Sequence, residues 1–455
     1  MGTLPAGSSD PLTAFLVAAV VPRDTGHATG TLDRAQAMLS AHPELANADI
    51  FATAVLGDDT AVRQFLEADP ASAKAKGGPY GWDPLTHLCF SRYLRLDPAR
   101  AAGFVRAAEA LLDAGADPNT GFIEADHQPR PEFESAIYGA CGLAHHPELT
   151  RLLLERGADP NDEETPYHTP ETDDNRALLV LLESGKLNAD SLTTLLLRKE
   201  DWHDLDGIRL VLEHDADPNR IGRWGRPALH HALSRDNALP IVELLVDHGA
   251  DPTLQADGMS AVAMAGWVGR GDVLALFERR GIPIALSGVD RLLAACASND
   301  ATAIRAISVA EPHLVETIRE RGGELLARFA GVGNTDGVRQ LLDLGIEVAA
   351  LWREGFGYLD IARNSMALHV AAWRASHATV RLLIDRGAPV NVPDGRGRTP
   401  LVLAVRACVD SYWAWRRTPE SVEALLAAGA RVGDVAFPSG YAEVDELLVR
   451  YGAGA

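Results

Sequence analysis

Cysteine, histidine and carboxylate side chains are the groups from which a metal centre, a nucleophile or an acid–base pair is built, and the sequence holds 4 Cys, 15 His and 63 Asp and Glu. Two clusters stand out, His145-His146 with Glu148 and the run Trp202-His203-Asp204-Leu205-Asp206. Neither has the paired histidines four residues apart, with an intervening glutamate, that a zinc-binding helix presents. Cys89, Cys141, Cys296 and Cys408 include no C-x-x-C pair. P-loop, G-x-G-x-x-G, G-x-S-x-G and EF-hand patterns are missing from the sequence as well. The expectation is therefore no catalytic residue, no cofactor and no metal, in a protein that is not an enzyme. One alternative stays open: the irregular stretch 162–206, where carboxylates gather with His168 and His203, as a grafted enzymatic or small-molecule site.

Charge narrows the partners. Lys and Arg number 42 against 63 acids, a formal net charge of −21, and a chain of that sign does not hold nucleic acid or an anionic membrane unaided. The acidity is regional: residues 109–219 carry 25 Asp and Glu against 8 Lys and Arg, whereas residues 346–455 balance at 12 against 12. Such a block is a well-solvated face that also steers a basic partner. The apolar run Leu12–Val21 has Asp10 before it and its first basic residue, Arg23, after it, the reverse of a secretory leader. It reads as a packed helix of a cytoplasmic protein. Only four of the cationic residues are lysines, a bias expected of a GC-rich bacterial genome.

The elements that position these residues come from internal repetition. A short phrase recurs as Gly115-Ala-Asp-Pro-Asn119, Gly157-Ala-Asp-Pro-Asn161, Asp215-Ala-Asp-Pro-Asn219, Gly249-Ala-Asp-Pro-Thr253 and Gly387-Ala-Pro-Val-Asn391, with worn copies at Gly281, Gly345 and Gly429. A period near 32–33 residues explains the spacing, the longest step being two units with a worn marker near His313. Before each phrase lies a leucine-rich helical segment such as Val242–Val246 or Val380–Ile384. Glycine just past its last turn is the favoured stop. Upstream lies a second helix of small residues, clearest in Gly225–Ser234, Gly258–Trp267, Asn364–Trp373 and Gly397–Arg406.

These four parts in this order resemble the ankyrin repeat. The resemblance implies an all-α ankyrin-repeat solenoid of about 11–12 helix-turn-helix units. Its parts are a cap and degenerate repeats (1–77), repeats with long loops (78–161), irregular acidic repeats (162–219), regular repeats (220–349), C-terminal repeats with aromatic insertions (350–433) and a cap helix (434–455). It implies a scaffold that binds another protein, as a monomer, across a long concave surface rather than in a pocket. His230, His369 and His168 take the last position of the opening motif, where the family's histidine bonds backbone between repeats. Cys89, Cys141 and Cys296 take a small-residue position of the inner helix. Equivalent atoms of adjacent repeats lie roughly 8–10 Å apart, too far for Cys89 to bridge Cys141, so free thiols in a reducing compartment are expected.

Departures from the period locate the expected partner surface. Insertions at Thr120–Phe133 and Ala350–Arg363 lengthen the turn, and those at Ser91–Gly103 and Val409–Thr418 lengthen the loop inside a repeat. Aligning the inner helices puts Phe90, Trp267, Trp373 and Arg406 in one register, which in ankyrin repeats tends to face the groove. Tyr, Trp and Arg are favoured at binding hot spots. The expected partner-binding set is thus Phe90, Trp267, Trp352, Phe356, Tyr358, Trp373, Arg374, Arg406, Tyr412, Trp413, Trp415 and Arg416. As surface residues, Trp267 and Trp373 are expected to be removable at little cost in stability.

Overall fold

The computed structural model describes residues 10–453, apart from residues 24, 128–129, 412 and 414–415. It divides into two compact units, Met1–Ala228 and Leu229–Ala455. Each is built from pairs of antiparallel helices, and no described helix is long and apolar enough to cross a membrane.

In the first unit the pairs run Pro11–Ala19 with Asp33–Ala41, Ile50–Val55 with Asp59–Ala68, and Pro84–Cys89 with Ala101–Asp113. They continue with Ala136–Tyr138, extended by a wide turn through Leu143, and Pro147–Glu155, then Glu164–His168 with Arg176–Glu183, and Ala189–Asp201 with Leu205–Glu213. The second unit repeats the plan from Ala228–Ser234 with Leu239–Asp247 to Pro400–Asp410 with Glu420–Ala427, and the single helix Ala442–Arg450 follows. Inner helices are short and built from small residues, so their backbones approach closely. Outer helices bring the leucines, and Phe104, Leu111 and Leu153 are wholly buried in the first unit as Leu245, Phe277 and Leu341 are in the second.

The recurring phrase is the turn that its glycine requires. Gly115 sits at φ 91° just past its helix, and Asp215, which replaces glycine in its copy, holds the same left-handed conformation at φ 67°. Asp is among the few residues with a side chain that tolerate it. The marker near His313 is no turn at all. There Pro312 opens an additional helix, Pro312–Glu320, as Pro43 and Pro70 open short helical turns after two outer helices of the first unit. Proline at the first helical position gives up an N–H that has no partner there anyway.

Inner and outer helices are joined by one device: a residue at positive φ followed by a side chain that caps the next helix. It occurs at Gly57-Asp58, His145-His146, His203-Asp204, Asn299-Asp300 and Gly333-Asn334. His146 Nδ1 accepts from Leu149 N at 3.2 Å and Asp204 Oδ1 from Gly207 N at 2.9 Å. Both histidine clusters of the sequence thus serve as helix entries.

Among the described residues three two-stranded hairpins stand between repeats: Gly121–Glu124 with Glu132–Ser135, Gln255–Ala256 with Met259–Ser260, and Leu351–Trp352 with Ser365–Met366. The first and third are built from the long insertions.

Asn334 ties three repeats together. Its Nδ2 donates to the carbonyls of Gly269 at 2.7 Å and Ala297 at 2.8 Å, while its Oδ1 accepts from Gly337 N at 2.8 Å. Asn334→Ala takes a donor from the Ala297 carbonyl and the acceptor from Gly337 N, while the Gly269 carbonyl keeps Gly271 N at 3.0 Å, and a buried group left unpaired costs about 1–3 kcal/mol. The substitution is expected to lower the unfolding free energy by about 2–3 kcal/mol in urea titrations. Asn334→Asp, which keeps the cap and loses both donors, is expected to fall between it and the parent.

Candidate functional site

Most of the aromatic residues expected to face a partner face the protein itself. Phe90 is wholly buried, because Val21 N donates to its carbonyl at 2.9 Å and the ring of Phe122, from the first hairpin, meets it edge-on at 4.8 Å. Trp352 packs with Ala327, Ile361 and Val370. The indole of Trp373 donates to the Leu359 carbonyl at 2.8 Å, beneath the 350–363 insertion, and Trp413 lies edge-on to it at 5.0 Å. Arg374 lies over the Trp413 ring and pairs with Asp236. Phe90, Trp352, Trp373, Trp413 and Arg374 are therefore interior residues, which corrects their expected exposure. Each insertion folds back over the inner-helix aromatics and takes the apolar surface that a partner would have covered.

The rest of that set is partly accessible. Trp267 is half-buried, with its Nε1 donating to Asp290 at 2.6 Å and the guanidinium of Arg321 over its ring. Arg406 is half-buried and paired with Asp360 at 2.9 Å; Phe356 and Arg416 are half-buried too. Tyr358 is 43% exposed under the guanidinium of Arg235. Tyr412 and Trp415 lie outside the described residues.

The first unit holds what the sequence did not lead us to expect, a cavity of about 750 Å³ lined largely by ionisable groups. The first hairpin makes one wall. Its register sets Phe122 opposite Glu134, Ile123 opposite Phe133 and Glu124 opposite Glu132, so Phe122, Glu124 and Glu134 share one face and Ile123 and Phe133 the other. On the inner face Phe122 stacks on Trp82 at 4.4 Å. Arg23, from the loop after the first helix, lies 4.4 Å over the Phe122 ring and grips Glu124 with two bonds of 2.8 and 3.0 Å. From that loop also comes His27, 3.4 Å from the Tyr138 hydroxyl and 3.5 Å from Glu124. Burial lowers the pKa of His27 in spite of Glu124.

The opposite wall is the short helix Glu164–His168. Here the histidine leaves its usual post: His230 and His369 reach the carbonyls of Met259 and Val392 across repeats, each at 2.9 Å, but His168 lies between Glu164 at 3.0 Å and Glu171 at 3.1 Å. Burial works against its charge, yet the two carboxylates outweigh it and hold the imidazolium up to about 9. Glu171 is also paired with Arg198 at 2.5 Å. Glu134 has no such company. It is 2% exposed, its Oε2 has no hydrogen-bond partner, and burial, reinforced by Glu164 and Glu124, pushes its carboxyl up to about 8.

Of the residues named in the 162–206 alternative, His168 lines this cavity, together with Glu164 and Glu171. Arg23, His27, Glu134 and Tyr138 went unrecognised as site residues. For Glu134 the signal was the alternation in Phe122-Ile-Glu124 and Glu132-Phe-Glu134, which puts Glu124, Glu134 and one aromatic on the same strand face; Arg23, His27 and Tyr138 reach the site from other elements and carried no local signal. Among the described residues no three His, Cys, Asp or Glu side chains converge as metal ligands.

Comparison with known proteins agrees with the helix pairs. Residues 196–246 match the family described as ankyrin repeats in many copies, and residues 364–395 match the single ankyrin repeat. The serine/threonine-protein kinase 12 of Arabidopsis thaliana is 37% identical over 84 residues, 18% of this chain and 16% of that protein. The chain thus matches about a sixth of that relative's length. Ankyrin repeats are present in this chain, and such repeats are generally protein-interaction modules.

Burial makes Trp373 and Trp413 core residues. Trp373→Ala and Trp413→Ala are each expected to cost about 3–5 kcal/mol, read as a lowered melting midpoint and an earlier urea transition. His168 gives a pH signature. Its pKa rises from 6.5 to about 9 on folding, so the stability it contributes is complete below pH 6.5 and lost as pH climbs through 9. In chemical unfolding, His168→Gln is expected to lie furthest below the parent near pH 6 and to approach it by pH 10.

Proposed function

We propose that the protein binds another protein, one that carries a basic and partly apolar segment, and that the outer face of the first hairpin is where it is held. The observation that carries this reading is the pair Ile123 and Phe133, directly opposed across the strands and 56% and 40% exposed. Apolar side chains standing together on a solvent-facing strand surface mark contact sites more often than chance placement. The pair stands within the 109–219 block of 25 acids against 8 bases, beside Arg130, which is paired with Glu163. A basic partner would be drawn to this block from a distance and held on the apolar pair at close range. Tyr358, on the third hairpin's insertion, offers a second accessible aromatic, in a region of balanced charge.

Binding rather than catalysis fits the thiols as well. All four cysteines are buried and free, and burial pushes Cys141 and Cys296 up to about 12 and Cys408 to about 11, with Cys89 raised too. A thiol so placed is not a nucleophile. Free buried thiols also suit a reducing, cytoplasmic setting. The second reading, a small-molecule site around residues 162–206, is favoured by the Glu164, His168 and Glu171 wall of the cavity.

The test compares the full chain with an Ile123→Ser/Phe133→Ser variant, first as baits in native extract with mass spectrometry, then against the recovered protein in purified form. Truncating a true hot spot costs about 2 kcal/mol or more, so binding is expected to weaken roughly 30-fold or more, with an unchanged melting midpoint. It should also weaken steeply with salt. Equal affinity of parent and variant would place the partner elsewhere.

A further inference from the structure

The carboxylates that line the cavity of the first unit, Glu124, Asp126, Glu134, Glu164 and Glu171, outnumber its cations, Arg23 and His168, even with Arg198 paired to Glu171 from outside the lining. Glu124 is taken by Arg23, and Glu164 and Glu171 share His168. Glu134 is left. Its Oε2 lies in the wall without a hydrogen-bond partner, and the nitrogen that faces it, His27 Nδ1, is 4.0 Å away. Folding does not normally leave a buried carboxylate unbonded, because its lost hydration must be replaced by donors or by a counter-charge. Glu164, 9% exposed, and the ring of Tyr138 line the same cavity. A positive group entering here meets two carboxylates in a medium where charges are weakly screened and an aromatic ring that attracts cations.

We infer that this cavity is a binding site for an organic cation, a primary ammonium or guanidinium group that sets its N–H donors against Glu134 and Glu164 and lays its carbon body along Tyr138 and Leu143. About 750 Å³ falls within the range of roughly 300–1,000 Å³ that suits small organic ligands. Glu134, which keeps its proton at neutral pH while the cavity is empty, releases it to solvent as a cation enters, so one positive charge is balanced by one newly ionised carboxylate. The same chemistry is carried by a free amine and by an arginine side chain of a bound polypeptide. Because the cavity lies behind the hairpin's inner face, the inference stands whether or not the outer face holds a partner.

The test is calorimetric titration of the full chain with agmatine and tyramine as free cations, with the capped tripeptide acetyl-Gly-Arg-Gly-amide as the side-chain source, and with the neutral alcohol tyrosol as control. At least one cationic probe is expected to bind and tyrosol is not. Glu134→Gln, which keeps the shape and removes the ionisable group, is expected to weaken binding tenfold or more. Ala28→Trp, on an exposed loop at the cavity, blocks access without touching a carboxylate and is expected to abolish binding, so the result does not hang on one variant. Binding of the free amines alone assigns a small-molecule site, and binding of the tripeptide alone assigns a partner's arginine. No binding of any cation at millimolar concentration, equal binding of tyrosol, or cation binding unaffected by both substitutions overturns the inference.

Discussion

A two-helix repeat has more apolar face than it can cover, and every feature of this protein answers that deficit. Neighbouring repeats cover the flanks, which is why inner helices are short and poor in large residues. The face toward the groove is normally left to solvent and stays polar. Here it bears Phe90 and Trp373, and the chain covers them with its own insertions, Trp413 of the 409–418 insertion lying edge-on to Trp373. Both units solve the problem alike: an added hairpin folds inward, an aromatic from it meets the inner helices, and an arginine bridges the closure, Arg23 to Glu124 in one unit and Arg406 to Asp360 in the other.

That solution has an electrostatic cost in the first unit only. Arg374 and Asp236 answer each other, and Arg270 lies between Asp236 and Asp272, so these two arginines are matched by two aspartates. In the first, the hairpin brings Glu124 and Glu134 inward together, and one arginine cannot serve both. The carboxylates of the following repeat, drawn from the most acidic stretch of the chain, leave His168 charged and Glu134 unmatched. The cavity is what lies between a wall designed by packing and a wall crowded with acids.

Much of this was legible in the amino-acid pattern, and the boundary of legibility follows sequence distance. Gly115 and Asp215 announced their turns because the left-handed conformation is a local demand. The leucine helices followed from periodicity, and the histidines of the opening motif at His230 and His369 bond as the resemblance implied. What could not be read was pairing across many repeats. Trp373 has the register of a groove residue, and only the path of the 350–363 insertion shows that it is covered. His168 carries the motif of His230, but its repeat has so short an inner helix that Glu164 and Glu171 reach the ring before any backbone carbonyl does. Pro312 was hidden in a gap for a related reason: a helix that opens on proline replaces the glycine turn used to count repeats.

Repeat arrays commonly gain and lose units by duplication and deletion, since each touches only its neighbours. The second unit has surrendered that freedom. Arg374 meets Asp236 across 138 positions of sequence, and the ring of Tyr358 lies under Arg235, so the stretch between them has a fixed length in repeats as well as in residues. Insert or excise one repeat there and both pairs miss by a full helical layer. An architecture known for its extensibility has been closed into something that inherits as a single piece.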